Sequence, residues 1–268
     1  MNRTELRMLD ILLQGKEELG YVGVKAEFEA EGTRTDELLR LLELARKAGL
    51  NVGLKIGGCE AVRDLMESKQ FGCEYIIAPM VETPYALSKY IDAKDNIYSK
   101  EEQQYTDFLF NIETRTAFDC REDMFKVAKN HGGGVDGVVF GRVDYCMSMG
   151  TGREKINTPE VSLDVKVISE MCLNSGLQLV TGGGVSIDAV DELKSIKSVH
   201  LDRFETRKII FDAGCLNSSD NTKALVNAVE FELLWLKNKR EYYSAIFQED
   251  NKRIEMLESR WNVLIGKN

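Results

Sequence analysis

Histidine, tryptophan and proline are scarce in this 268-residue chain: two, two and three residues respectively. With only His131 and His200 available, no Ser-His-Asp or Cys-His arrangement can be assembled from the spacing. Three prolines leave no Pro-rich linker to separate domains. The six cysteines (Cys59, Cys73, Cys120, Cys146, Cys172 and Cys215) are widely spaced and form no C-x-x-C pair. That excludes a zinc ribbon and reads as reduced thiols in a cytoplasmic protein. Positive charge is also short, since the net charge is -9 and the pI about 5.0. A nucleic-acid partner, which needs a concentrated basic surface, is not expected. No apolar run approaches the length of a membrane span. Residues 1–20 mix charges with leucine at helical spacing and lack the apolar core of a signal peptide. Neither G-x-G-x-x-G after the first strand nor a Walker A motif occurs.

What the chain does contain is alternation. Residues 3–19 carry leucines, isoleucine and methionine at helical spacing and end before Gly20. Residues 22–31 alternate strictly: Val22, Val24, Ala26 and Phe28 on one face, and Gly23, Lys25, Glu27, Glu29 and Glu31 on the other. In a barrel that second face puts several charges inside or at the mouth. Thr35 is placed to cap the next helix, which Gly49 closes. Strands are then expected at residues 51–58, 73–81, 105–113, 135–141 and 177–181, with helices between them. A polar loop excursion is expected over 92–102, and one or two further strands over 199–212. A helix from 219 to about 262 carries Leu225, Val226, Val229, Leu233, Leu234 and Leu236 as its apolar stripe.

Six or more strand–helix units in about 220 residues fit a TIM (β/α)8 barrel better than an open sheet. The expected organisation is a barrel domain over residues 1–218, N-terminal helix included. A C-terminal helical extension over 219–268 would pack on the barrel or on a neighbouring subunit.

In such a barrel chemistry gathers where strands end. Those positions hold Glu29, Glu31, Lys55, Glu82, Glu113, Arg142, Asp144 and the turn Gly182-Gly183-Gly184. Glu113 with Asp144 suits a hard divalent ion held by two carboxylates, water and substrate oxygens, or else two helix caps and salt-bridge partners. Lys55, with Gly53 and Gly57 on its own face, suits a substrate carboxylate or enolate. A Schiff-base nucleophile, with Lys25 as a second candidate, or an ion pair with Glu27 or Glu29 are its alternatives. The glycine turn could bind an anion or be only a turn.

Three segments carry a family resemblance. I-I-A-P-M-V-E-T-P (76–84), F-N-I-E-T-R-T-A (110–117) and V-D-G-V-V-F-G-R-V-D-Y-C-M-S-M-G (135–150) resemble, in order and spacing, the HpcH/HpaI aldolase and citrate lyase β-subunit family. The resemblance spans roughly residues 20–190 and implies a TIM barrel of the phosphoenolpyruvate/pyruvate class. It implies a carbon–carbon lyase acting on a 2-oxo or hydroxy acid through a metal-bound, pyruvate-type enolate. Glu113 and Asp144 would be the Mg2+ or Mn2+ ligands, and the backbone at Gly141, Arg142 and Val143 would receive the substrate carboxylate. It also implies a homo-oligomer built through C-terminal helices. Three departures stand out. Lys55 occupies the place of a family arginine, no histidine follows the first strand, and Arg142 replaces a proline. Glu29 or Glu31 is left as a base and Arg34 as a substrate contact, while a binding barrel without activity is the reading from another class.

Overall fold

In the computed structural model, which describes residues 1–265, eight strands close into one barrel. Helix α1 (Arg3–Glu18) leads into β1 (Tyr21–Glu27) and α2 (Thr35–Ala48). Then come β2 (Asn51–Lys55), α3 (Val62–Phe71), β3 (Tyr75–Ala78), α4 (Pro84–Ile97) and β4 (Asp107–Ile112). Two helices, α5 (Arg115–Asp119) and α6 (Arg121–Asn130), precede β5 (Gly137–Gly141), which runs directly into α7 (Arg142–Ser148). The remainder is α8 (Pro159–Ser175), β6 (Gln178–Gly182), α9 (Val190–Lys197), β7 (Arg203–Glu205), β8 (Ile209–Asp212) and α10 (Asn221–Leu264). No helix among the described residues is long and apolar enough to cross a membrane.

Strands β1 to β7 pair in sequence order and in parallel. β8 differs, being antiparallel to both β7 and β1. The last unit is therefore a hairpin, not a strand–helix repeat, and its turn (Thr206, Arg207, Lys208) lies at the end of the barrel where the parallel strands finish. The 199–212 segment thus holds two strands, with the second reversed.

Alternation decides which side chains face inward. Tyr75, Ile77, Leu109, Val139, Val180 and Ile210 form an apolar plug inside the barrel, packed against one another and apart from the larger core between strands and helices. Above the plug, the inward positions of β1, β2 and β4 become Lys25, Glu27, Lys55 and Asn111, all buried. The plug supplies the low-dielectric floor on which these charges stand.

Three boundaries differ from expectation. Arg34, not Thr35, occupies the N-cap position of α2, and Glu37 returns a carboxylate to its backbone N–H at 3.1 Å. The 92–102 segment does contain a loop, but only from Tyr98 on, because α4 continues to Ile97. The helix predicted from 219 does form, but its buried face is Ala224, Leu225, Ala228, Phe231 and Trp235. Val226, Val229, Leu233 and Leu236 of the expected stripe are about half exposed, at 49–63%. The final three residues of the expected extension, 266–268, lie outside the described part.

Candidate active site at the barrel mouth

Each strand delivers its polar residue by continuing the parity of its apolar ones. On β4, Leu109 sits in the plug, Asn111 lies one pleat above, and Glu113 follows just past the strand end. Glu113 is only 1% exposed, and three groups hold it. The Met80 backbone N–H donates to its Oε1 at 2.9 Å, and Asn111 Nδ2 donates to its Oε2 at 2.6 Å. Lys55 Nζ stands 3.3 Å from the same Oε2. On the other side Lys55 lies 3.4 Å from Glu29 Oε2, a buried oxygen that accepts no hydrogen bond. Lys55 therefore stands between two carboxylates, one from the β1 side and one from β4: the ion pair with Glu29 was one of its expected alternatives, the one with Glu113 was not.

Gly141 makes room for this arrangement. A Cβ there would fall 2.7 Å from Glu113 Cβ and 2.8 Å from its Oε2. Three residues further on, Asp144 occupies the first turn of α7. Its carboxyl is pushed above the ordinary aspartate range, by burial first and then by the Glu113 charge. Lys55 eases the shift while Glu29 and Glu27 add to it. Among the described residues no hydrogen bond relieves it.

Beneath and beside these groups lies a charge network. Lys25 forms ion pairs with Glu205 and, at 3.3 Å, with Glu27. Burial alone would lower the Lys25 pKa, but the two carboxylates outweigh it and leave the ammonium above its usual value. The two ion pairs favour the protonated ammonium, which is not the form a Schiff-base nucleophile uses. Glu27 is held below the usual carboxylate range: burial opposes ionisation, and Lys25, Lys55 and Arg207 overcome it. The hairpin turn closes the rim. Lys208 is buried and paired with Glu31. Arg207 is 55% exposed, and its Nη1 is 3.8 Å from both Glu27 and Glu31 while its Nε is 3.9 Å from Glu232.

Other expected residues stand elsewhere. Arg142 is fully buried, but its Nε donates to the Gly182 carbonyl at 3.3 Å and its Nη1 to Asn157 Oδ1 at 2.9 Å. Its Nη2 has no partner among the described residues, and burial pulls its pKa down to about 10. The guanidinium is thus directed to the α8 side of the β6 turn, and only the backbone of Arg142 belongs to the mouth. Next to that backbone lies Gly183, at φ +78°; a Cβ on it would fall 2.7 Å from the Val143 nitrogen and 2.8 Å from that of Arg142. Glu82 is half-buried after β3. Arg34 is turned outward, 3.2 Å from Asp36 and over the Tyr243 ring. His131 occupies the C-cap position of α6 with Nε2 2.7 Å from Asp92.

Sequence reasoning did not single out Asn111, Glu205, Arg207 or Lys208. Asn111 was detectable by parity, two residues before Glu113 on the same face. The other three needed the hairpin, which a three-residue strand does not announce.

A barrel with its acidic and basic side chains concentrated at the strand ends defines an enzyme-like TIM barrel. The family model for HpcH/HpaI aldolase/citrate lyase matches residues 34–199, more than half of the chain, and the chain belongs to that family. Its function is accordingly of the aldolase/citrate lyase type. Solved structures share the fold. An HpcH/HpaI aldolase from Desulfitobacterium hafniense DCB-2 has a TM-score of 0.58 and 15% identity, covering 75% of this chain and 82% of that one. An HpcH/HpaI aldolase/citrate lyase family protein from Burkholderia cenocepacia J2315 gives 0.61 and 12%, covering 90% of each. A variant of the citrate synthase SbnG gives 0.55 and 14%, covering 91% of this chain and 90% of that one. No curated protein sequence matches the chain.

Proposed function

We propose that the chain is a divalent-metal-dependent carbon–carbon lyase that acts on a 2-oxo or hydroxy acid through a pyruvate-type enolate. The observation that carries this reading is the pair Glu113 and Asp144. One is fixed by three donors; the other is half-buried, without a hydrogen bond among the described residues, and under like-charge repulsion from the first. A cation between them would relieve that repulsion. Among the described residues no three His, Cys, Asp or Glu side chains converge on one point. Two carboxylates suit Mg2+ or Mn2+, which keep water and substrate oxygens as their other ligands. When bound, the ion would supply a Lewis acid for the substrate carbonyl oxygen.

The remaining roles belong to the chain. The backbone at Gly141, Arg142 and Val143, beside the space left by Gly183, would receive the substrate carboxylate. Lys55 would offset the charge that develops on the enolate oxygen, as a point charge where an arginine would offer a fork. Glu29 would exchange the proton through the oxygen that accepts no hydrogen bond. Arg207, exposed and held only by long ion-pair contacts, would take a second carboxylate on the partner fragment.

The test is α-proton exchange of pyruvate in deuterated buffer, followed by NMR with Mg2+, Mn2+ or EDTA, on wild type and Glu113→Gln. Exchange is expected with metal and is lost with EDTA or in the variant. Exchange that survives EDTA, together with borohydride trapping of pyruvate on Lys55, would overturn the metal reading in favour of a Schiff base.

A further inference from the structure

Helix α10 has two apolar faces, and the barrel uses one. Ala224, Ala228, Phe231 and Trp235 are buried against the barrel, while every residue from Ser244 to Ile265 is exposed. Helices in proteins draw most of their stability from packing an apolar face, not from propensity alone. This one carries Phe247, Ile254, Leu257, Trp261 and Leu264 at 50–81% exposure.

The exposed face has a seven-residue period. Stepping alternately three and four residues from Val226 to Leu264 passes through twelve positions, ten of them apolar. The first four, Val226, Val229, Leu233 and Leu236, are the exposed residues of the barrel-docked half. Written as heptads, Val226 is an a position, and Ala224, Phe231 and Asn238 are f positions on the opposite side of the helix. The f and c residues meet the barrel: Ala224 and Phe231 at f and Ala228 and Trp235 at c are buried, and Asn238 at f bonds to Asn2 and Glu5. The seam therefore faces away from the barrel from Val226 to Leu236; Tyr243 is its one position that also reaches the barrel, donating its hydroxyl to Glu37 of α2. The seam continues for more than the three to four heptads that mark a coiled coil.

Only Arg240 and Asp250 interrupt the seam, and they decide its orientation. In a parallel in-register pair, arginine would meet arginine and aspartate would meet aspartate. In an antiparallel pair centred on Ala245, all twelve positions remain matched and Arg240 meets the partner's Asp250 twice over. Leu233 then meets the partner's Leu257, and Leu236 the partner's Ile254. The exposed stripe of each docked half is covered by the projecting half of the other copy. On the flanks, Glu232 faces the partner's Arg260. Two like-charge pairs arise there, Glu230 with the partner's Glu258 and Lys239 with the partner's Arg253. One member of each is already neutralised at home, Glu230 by Arg7 at 2.8 Å and Lys239 by Glu37 at 3.1 Å.

We propose that two copies of this chain associate through an antiparallel two-stranded coiled coil formed by α10, with Arg240 and the partner's Asp250 fixing its orientation. The proposal rests on the helix alone and is independent of the reaction.

Sedimentation equilibrium of the full chain tests it. Wild type is expected to be a dimer at micromolar concentration. Leu257→Asp lies in the projecting half, so the barrel should keep its circular dichroism and melting temperature. The substitution would enter the seam twice and raise the dimer dissociation constant by roughly 100-fold or more. Arg240→Leu separates the orientations: it strands Asp250 and weakens an antiparallel dimer, but relieves repulsion and tightens a parallel one. The exchange Arg240→Asp with Asp250→Arg should restore wild-type affinity. A monomeric wild type, an oligomer indifferent to Leu257→Asp, or a tighter dimer from Arg240→Leu would each overturn the proposal.

Discussion

Met80 donates its backbone N–H to Glu113 Oε1 at 2.9 Å from a left-handed backbone conformation, φ +49°. Among the described residues it is the only non-glycine with positive φ. For an L-residue that conformation costs about 1–2 kcal/mol. The strain sits on the loop that aims an amide at the carboxylate proposed to hold the metal. Met80→Gly should therefore fold normally, keep the Glu113 contact and change the unfolding free energy by no more than about 1 kcal/mol, because lower strain is offset by a freer unfolded chain. Met80→Val, β-branched at the same angle, should lower stability by about 1–2 kcal/mol and reduce metal-dependent activity. Urea unfolding alongside turnover checks both.

Gly141 is a second lever on Glu113. Its missing Cβ is the space in which the Glu113 side chain lies. Gly141→Ala should displace that carboxylate and lower kcat by about 100-fold, the scale of a 1 Å misplacement, while the melting temperature falls only modestly. Equal losses in activity and in folded fraction would show that the glycine serves the fold and not the site.

The exposed guanidinium at the rim predicts a split in kinetic constants. Arg207→Gln should raise KM about tenfold for a substrate with a second carboxylate, leaving pyruvate proton exchange unchanged. Arg207→Lys should recover only part of the loss, since an ammonium cannot offer two parallel donors. If the variant slows pyruvate exchange as well, Arg207 acts on the reacting fragment and not on its partner.

Lys25 joins two carboxylates on the apolar plug. Lys25→Met should cost about 3–5 kcal/mol, because Glu27 and Glu205 would remain buried without their shared cation. Adding Glu27→Gln and Glu205→Gln should return much of that stability without returning activity. Denaturant midpoints of the single and triple variants make the comparison.

The repeating architecture and the central pair of acids were legible in the sequence because both follow from periodicity. Apolar runs ending in Glu113 and in the residues before Asp144 mark strand ends whatever the sheet looks like. Periodicity does not report direction, so the reversed β8 and its charged turn were hidden, and Arg207 and Lys208 with them. It also does not report where a long side chain goes. Arg142 sits at a strand end, yet its guanidinium runs to Gly182 and Asn157. On α10 the period was visible but the partner of each face was not. Val226, Val229, Leu233 and Leu236 satisfy a helical stripe as well as Ala224, Ala228, Phe231 and Trp235 do. On the docked face Ala224 and Ala228 allow close approach, while Phe231 and Trp235 are buried beside them.

Acid should destabilise the charge network through Glu27. Burial opposes ionisation there, but Lys25, Lys55 and Arg207 hold the carboxyl below its ordinary value in the folded chain. The unfolded chain, with an ordinary glutamate pKa of about 4.3, then binds more protons than the folded one across the interval between the two values. The stabilisation from Glu27 is fully present above that ordinary value and is lost as pH falls through the lower folded one. Lys25, whose folded pKa is raised, gives up its share only on the alkaline side, so it does not add to the acid limb. Wild type should thus lose stability between neutral pH and about pH 3 more steeply than Glu27→Gln, which starts lower but has no proton to take up at that position. Urea midpoints at matched ionic strength measure the two slopes. Parallel curves would mean that the carboxylates governing acid unfolding lie outside the barrel mouth.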